Sequence, residues 1–261
     1  MKPLDGLTIL DLSRVLACPF ASMILAELGA RVIKVEQPGS GDETRSFEPQ
    51  LAADSAYYFA CNRSKESITV NLRSDEGRKL IRELAQKADV VLENFPVGTL
   101  GRYGLDFSSL SALHPRLVYV SCTGFGQSGP YAEKKGYDTV FQAMGGIMSL
   151  TGEKGGGPVK PGLPIADLTS GLWIAIAILA ALAGRAGDIV VCPLWPSAGA
   201  ELPKRVLVSA RKAARGPLRL VRGLTLHEAD GRFTRDAEAI LRDAAPRPLR
   251  PSPATLASCS R

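Results

Sequence analysis

A carboxylate at the mouth of an apolar segment is the residue in this chain best placed to do chemistry. Asp167 lies within Gly162-Leu163-Pro164-Ile165-Ala166-Asp167-Leu168-Thr169-Ser170-Gly171, and every residue from Leu172 to Ala183 is apolar. That run falls short of the about 20 apolar residues needed to span a bilayer. It reads as a buried helix, rich in the strong helix formers Ala and Leu. Asp is among the preferred N-cap residues, so Asp167 is expected to cap this helix. There a carboxylate accepts backbone N–H bonds and feels the positive end of the helix dipole, and both effects favour its ionised form. Two roles are open to it: a cap alone, or a carboxylate nucleophile held beside a buried helix.

Competing chemistries are poorly supplied. The two histidines, His114 and His227, are far apart, and His114 precedes a proline in an expected surface loop, so histidine triads and histidine metal sites are not supported. The five cysteines, Cys18, Cys61, Cys122, Cys192 and Cys259, form no C-x-x-C pair. That spacing argues against zinc and against a disulfide framework, and for a reducing cytosol. No metal site is expected. Neither G-x-x-x-x-G-K-[ST] nor G-x-S-x-G occurs. Gly124-Phe125-Gly126-Gln127-Ser128-Gly129 matches G-x-G-x-x-G after a strand-like segment, but Pro130 follows at once. A dinucleotide fingerprint must open a helix and be followed by an acidic residue about 20 positions on. A tight loop in which backbone approaches a ligand is the better reading. Gly155-Gly156-Gly157 reads as a surface turn.

The elements that must position Asp167 alternate between strand and helix. Leu7–Leu12, Ala30–Glu36, Ser67–Leu72, Asp89–Glu93 and Leu117–Cys122 are short apolar runs of strand type. Helices are expected from Phe20 to Leu28 behind Pro19, from Ser74 along the apolar face Leu80, Ile81, Leu84, Ala85 and Ala88, and from Asp138 to Leu150. Residues 43–60 read as irregular. The alternation predicts an α/β fold, a mostly parallel Rossmann-like sheet flanked by helices. Ligands then sit beyond the carboxyl ends of the strands, where Ser13–Ala17, Asn94–Pro96 and Thr123–Gly126 fall. The N-terminus lacks a signal-type apolar core and no segment qualifies as transmembrane, which points to the cytoplasm.

Composition divides the chain. The first 184 residues hold 18 Lys+Arg against 19 Asp+Glu, whereas the remaining residues hold 14 against 7, within an overall net charge of +6. In the C-terminal part 12 of those 14 basic residues are Arg, and eight of the chain's 18 prolines lie there. The expectation is an N-terminal α/β domain over residues 1–185 and an atypical Arg/Ala/Pro-rich segment over 186–261. The latter is expected to be a poorly ordered basic tail, or marginally helical from Leu202 to Ala214 and from Thr234 to Ala244. With only Trp195 and Phe233 as aromatics it does not suit nucleic acid, whose bases stack on aromatic side chains.

Several stretches together resemble the class III CoA-transferases of CaiB/BaiF type, the family of formyl-CoA and carnitine CoA-transferases and of α-methylacyl-CoA racemase. They are Leu10-Asp11-Leu12-Ser13-Arg14-Val15-Leu16-Ala17-Cys18-Pro19, Leu28–Glu36, Asn62-Arg63-Ser64-Lys65-Glu66-Ser67-Ile68, Val91-Leu92-Glu93-Asn94-Phe95, Gly124–Pro130 and Ile165-Ala166-Asp167-Leu168. The resemblance runs from about residue 4 to 185 and implies the large-domain part of such an enzyme.

What the resemblance implies is transfer of CoA from an acyl-CoA donor to a small carboxylic acid. Asp167 is implied as the nucleophile that attacks the thioester, with no metal and with CoA as a substrate. CoA contacts are implied for Leu16 and Ala17, for Asn62, Arg63, Ser64 and Lys65, for Asn94, Phe95 and Pro96, and for Arg102. A looser match covers Lys135, Gly136, Tyr137 and Asp138. Lys65 and Arg102 suit phosphate as a point charge and a bidentate partner. The chain departs from the family at three places. Gln37 stands where formyl-CoA transferases carry an arginine. Tyr137 stands where the racemases carry an acid/base histidine, and because tyrosine titrates near 10 this favours transfer over racemisation. Past about Arg185 the family continuation is replaced by the basic segment, whose bias reads as a shifted frame. Family members form interlocked homodimers, and a homodimer is the implied assembly. An inactive CoA-binding remnant and a racemase-type enzyme are the alternatives.

Overall fold

The computed structural model describes residues 2–51 and 54–183, four strands between residues 186 and 227, and some of residues 228–238. It divides into two compact units, Leu4–Leu182 and a second made of Ala183–Arg261 with the first three residues.

The first unit is built on five parallel strands: β1 (Thr8–Asp11), β2 (Arg31–Glu36), β5 (Glu66–Thr69), β6 (Val90–Glu93) and β7 (Val118–Ser121). Two-residue strands β3 (Gln50–Leu51) and β4 (Asp54–Ser55) form a small antiparallel hairpin apart from them. The sheet order is β5-β2-β1-β6-β7, so the chain winds outward from β1 in both directions. Register places Leu10 beside Ile33 and Val91. Strands buried on both faces carry near-continuous apolar runs rather than alternation, which is why Val90-Val91-Leu92-Glu93 is buried at every position.

Helices cover both faces. On one, α3 (Asp75–Ala85) and α4 (Phe107–Leu113) cover a core in which Leu10, Ile33 and Val91 meet Ile81, Leu105 and Leu110. Ser74 caps α3 by accepting the Gly77 N–H at 3.0 Å, as its place before the amphipathic run predicts. On the other face lies α1 (Ala17–Glu27), followed outward by α6 (Ile165–Leu182), with α2 (Ala56–Asn62) beside α1. Helix α1 begins at Ala17, two residues before Pro19. The helix expected from Asp138 to Leu150 is α5 (Asp138–Met144) and a separate 3₁₀ turn at Ile147–Leu150. The Gly145-Gly146 step divides them, Gly146 taking a φ of +80° that few other residues adopt. Residues 43–60 are more ordered than their composition suggests, holding a 3₁₀ turn, the hairpin and most of α2.

Helix α6 is less buried than expected. It is long and apolar enough to cross a membrane by length and composition, yet only 22% of it is buried. Gly171, Ala175, Ile178 and Leu182 face inward, whereas Leu172, Trp173 and Ile176 are exposed. The crossing with α1 is close: a Cβ on Gly171 would lie 2.7 Å from the Ala17 carbonyl oxygen and 2.9 Å from the Phe20 ring.

In the second unit β8 (Ala186–Ser197) pairs antiparallel with β9 (Arg205–Lys212) and parallel with β10 (Arg219–Leu220) and β11 (Leu224–His227). The helix expected from Leu202 to Ala214 is therefore a strand over Arg205–Lys212. Its Arg-Val-Leu-Val-Ser core carries β-branched residues that favour extended backbone. Of the helix expected from Thr234, Arg235, Ala237 and Glu238 are helical, and the rest lies outside the described residues. The expectation of a poorly ordered tail falls largely on residues outside the described set.

Two buried ion pairs stand at the carboxyl end of the sheet. Lys65 Nζ lies 3.1 Å from Asp11 Oδ2, and Lys34 Nζ lies 2.8 Å from Asp42 Oδ2, all four side chains at most 1% exposed. Burial raises the Asp11 pKa, but Lys65, Lys34 and the hydroxyls of Ser13 and Ser22 outweigh it and hold the carboxyl at about 2. Breaking a buried pair on one side strands the other charge, at a cost of about 3–5 kcal/mol. Asp11→Asn is therefore expected to lower urea-denaturation stability at pH 7 by that amount, and adding Lys65→Met should recover part of it. A depressed carboxylate stabilises above its unfolded value near 4, so in the parent chain this contribution should fade as pH drops from about 4 toward 2. Equal urea midpoints for parent and Asp11→Asn would contradict the assignment.

Candidate active site

Sheet topology sets where the site must lie. Strand β1 is the point at which the winding reverses, so the segments leaving β1 and β6 diverge and open a crevice. They are joined there by Asn94, whose Oδ1 accepts the Arg14 N–H at 2.9 Å and whose Nδ2 donates to the Arg14 carbonyl at 2.7 Å. Next in the chain, Val15 has a φ of +67°. A β-branched residue in the left-handed region is strained. Its N–H donates to the Asp42 carboxylate at 3.3 Å, and Asp42 is in turn fixed by Lys34. The strained step turns the chain from the sheet edge into α1, so that Leu16 is buried and Ala17 lies against Gly171 of α6.

A cavity of about 310 Å³ opens in this crevice. Ser13, Arg14, Gln37, Asn71, Phe95, Pro96, Thr99 and Tyr103 are among its lining residues. The Arg14 guanidinium stacks over the Phe95 ring at 5.0 Å. Arg102 is exposed in the turn between Thr99 and Tyr103, its guanidinium 3.5 Å from the Thr99 hydroxyl. Lys65 does not share this exposure. Its ammonium is closed in by Asp11, the Asn62 Oδ1 at 2.8 Å and the Pro19 carbonyl at 2.9 Å. In this structure the Lys65 charge, expected to meet phosphate, is paired inside the fold. Asn62 is buried with it, whereas Arg63 and Ser64 are exposed, Ser64 at a φ of +64°.

Asp167 lies one helical turn before Gly171, on the side of α6 that meets the start of α1, and its environment differs from the one its sequence position suggests. It is the third residue of α6, not the cap. The cap comes from another helix: Asp138 Oδ1 accepts the N–H groups of Ala166 at 2.9 Å and of Asp167 at 3.3 Å. The Asp167 carboxyl is raised to about 6, first by burial and then by the Asp138 charge. The helix dipole favours the anion by about 0.3–1 kcal/mol, and here burial and a like charge win. Tyr57 of α2 and Cys122 at the end of β7 both feel the Asp167 charge; burial above all raises Tyr57 to about 12. The Cys18 thiol donates to the Glu93 carbonyl at 3.8 Å, and its interaction with Cys122 lowers the Cys122 thiol and raises its own. Tyr57 and Cys122 lie in no motif; only the fold brings them beside Cys18 and Asp167.

The segment Lys135–Asp138 reaches this group through a glycine contact. The Cα of Gly136 lies 2.8 Å from the Cβ that Gly124 would carry, and a Cβ on Gly136 would lie 2.1 Å from the Phe141 ring. Within the Gly124–Gly129 loop, Gly124 packs on the Gly136 backbone, whereas Gly126 and Gly129, both at positive φ, face open space. No helix follows the loop. Lys135 and Tyr137 are exposed, Tyr137 at 65%. Among the described residues no cluster of His, Cys, Asp or Glu has metal-site geometry.

A doubly wound α/β sheet with a carboxylate at the start of a helix beside its crevice defines the class. The sequence profile of CoA-transferase family III matches residues 4–191. The chain belongs to CoA-transferase family III. It is 49% identical over 195 residues to a succinate–glutarate CoA-transferase of Agrobacterium fabrum, covering 71% of this chain and 49% of that protein. It is 45% identical over 184 residues to an acetyl-CoA:oxalate CoA-transferase of Acetobacter aceti, covering 70% and 47%. Among solved structures, a CaiB/BaiF family protein from Brucella suis superposes with a TM-score of 0.67 at 52% identity, over 69% of this chain and 49% of that one. The chain thus spans about half the length of these relatives.

The raised Asp167 pKa makes a stability prediction with a definite sign. A carboxyl harder to ionise in the fold than in the unfolded chain destabilises as pH rises from about 4 through about 6. Asp167→Asn removes that loss. The variant should match the parent in thermal stability at pH 4 and exceed it at pH 7.5 by about 1 kcal/mol, a scale set by solvent screening of a part-exposed group. A variant less stable than the parent at pH 7.5 would show that Asp167 is chiefly structural.

Proposed function

We propose that this chain carries the CoA-binding and nucleophilic half of a CoA-transferase that moves CoA between an acyl-CoA and a small carboxylic acid. The observation that supports this is the close approach of Ala17, in the segment leaving the crevice, to Gly171, one helical turn from Asp167. The nucleotide end of CoA fits the cavity between Arg14, Gln37, Phe95 and Pro96, with Arg102 exposed beside it for phosphate. The pantetheine arm runs along Leu16 and Ala17, and the thioester reaches Asp167 next to Tyr137 and Asp138. Relatives named for succinate–glutarate and acetyl-CoA:oxalate transfer support an acid acceptor of this size.

The chemistry follows from the carboxylate. Asp167 attacks the thioester carbonyl; the C–S bond breaks, CoA leaves as thiolate and a mixed anhydride remains. The thiolate attacks the Asp167 carbonyl, releasing the donor carboxylate and leaving an aspartyl-CoA thioester. An acceptor carboxylate then attacks that thioester, forming a new anhydride and freeing the thiolate. Attack of the thiolate on the acceptor's acyl carbon yields the new acyl-CoA and regenerates Asp167. A carboxyl held at about 6 is ionised at neutral pH, yet more basic than an ordinary carboxylate, which suits a nucleophile. Exposed Tyr137 in place of a histidine favours transfer over racemisation.

A second reading has its own support: a chain that matches only about half the length of its relatives can bind CoA without turning it over. One experiment separates the two. Incubation of the full chain with succinyl-CoA, then hydroxylamine or borohydride, should leave a mass change on the peptide holding Asp167, and Asp167→Asn should abolish it while still binding CoA. Binding with no adduct in the parent chain would favour the remnant. An adduct that persists in Asp167→Asn would place the nucleophile elsewhere.

A further inference from the structure

We propose that Asp138 is a positioning residue for Asp167: it reaches from the first residue of α5 to cap α6, fixes the backbone of the carboxylate that attacks and sets a second negative charge beside it. The inference rests on the reading of Asp167 as the nucleophile, and it gives Asp138 a task other than contact with CoA. Helix α6 starts without a local cap. The residues before it, Gly162, Leu163 and Pro164, have no side-chain oxygen, although Ser, Thr, Asp and Asn are what helix starts favour. Its first main-chain acceptor, the Pro164 carbonyl, takes the Leu168 N–H, which leaves the N–H groups of Ala166 and Asp167 without a helical partner. Asp138 Oδ1 takes both.

Asp138 is itself held. Its Oδ2 accepts the Gln142 Nε2–H, one turn along α5, and the same amide donates to the Leu163 carbonyl at 3.2 Å. Gln142 is 1% exposed. Two side chains of α5 therefore grip α6 on both sides of Pro164. One of the two capping bonds ends on the amide of Asp167 itself, so a shift of Asp138 shifts the Cα of the nucleophile. The arrangement also sets a negative charge beside the Asp167 carboxyl. Tyr57 on α2 and Cys122 after β7, with Cys18 of α1 behind it, are the other titratable groups that face this spot.

The test uses the full chain and two variants. Asp138→Asn keeps a capping oxygen and removes the charge; Asp138→Ala removes both. Carbodiimide coupling of an amine to Asp167, followed by peptide mass, reports the titration of that carboxyl without any CoA ligand. Hydrogen exchange of residues 165–168 reports the cap. In Asp138→Asn the labelling midpoint should fall part of the way from about 6 toward the ordinary carboxylate range near 4, with exchange rising less than in Asp138→Ala, since Asn keeps the capping oxygen but turns a donor toward Gln142 Nε2. In Asp138→Ala exchange at Ala166 and Asp167 should rise about fivefold. An unmoved midpoint in Asp138→Asn overturns the proposal and leaves Asp138 a helix cap alone. Unchanged exchange in a folded Asp138→Ala overturns it as well. Should Asp138→Ala fail to fold, Asp138→Asn decides by itself. Failure of the nucleophile reading is seen separately, as absence of an acyl-CoA adduct on the parent chain.

Discussion

The burial of four charges at the carboxyl end of the sheet is the constraint on which the first unit depends. Ions this deep cost several kcal/mol each to desolvate, and their attraction recovers that only where every remaining hydrogen-bonding position is filled. Here they are. Asp11 accepts from Ser13 and Ser22 as well as Lys65; Lys34 donates to the Ser13 carbonyl as well as Asp42; Lys65 also reaches the Pro19 carbonyl and Asn62. The partners come from the exit of β1, from α1, from β2, from the turn after it and from the end of α2. A sheet of Val and Leu packs in many ways, whereas these groups are satisfied in only one.

That network explains how a strained turn persists at the functional end. Val15 in the left-handed region costs on the order of 1–3 kcal/mol, and Ser13, Arg14 and Val15 itself are tied down in turn by Asp11, Asn94 and Asp42. The turn then delivers Leu16 and Ala17 to α1 at a fixed height. Two kinds of carboxylate result within one small unit. Asp11 lies among cations and is held ionised, while Asp167 lies beside an apolar helix and another anion and is pushed the opposite way.

Much of this was legible in the chain. The five strands follow from short apolar runs, α3 from its amphipathic period and the serine before it, and Asp167 from its place ahead of an apolar segment. The misreadings have physical causes. Asp167 looks like a cap because capping is local in most helices, whereas here the cap comes from Asp138, 29 residues upstream, across a tertiary contact. Lys65 looks exposed because a lysine in a loop motif is assumed to be solvated, and nothing in Asn62-Arg63-Ser64-Lys65 announces the buried Asp11 opposite. Helix α2 was hidden in a stretch of aromatic and polar residues without a clear period. The strand at Arg205–Lys212 was masked by arginines that also suit a helix.

Helix α6 presents a problem of azimuth. A cylinder apolar on every side gains nearly the same by burying any of its faces, so the hydrophobic effect leaves its roll about its own axis almost undetermined. The notch at Gly171 removes that freedom, because only one orientation lets the Ala17 carbonyl and the Phe20 ring come so near. Gly171 lies one helical turn beyond Asp167, on the same side. The absence of one methyl group thus acts as a keyway, and it is what turns the carboxylate toward α1 and away from solvent.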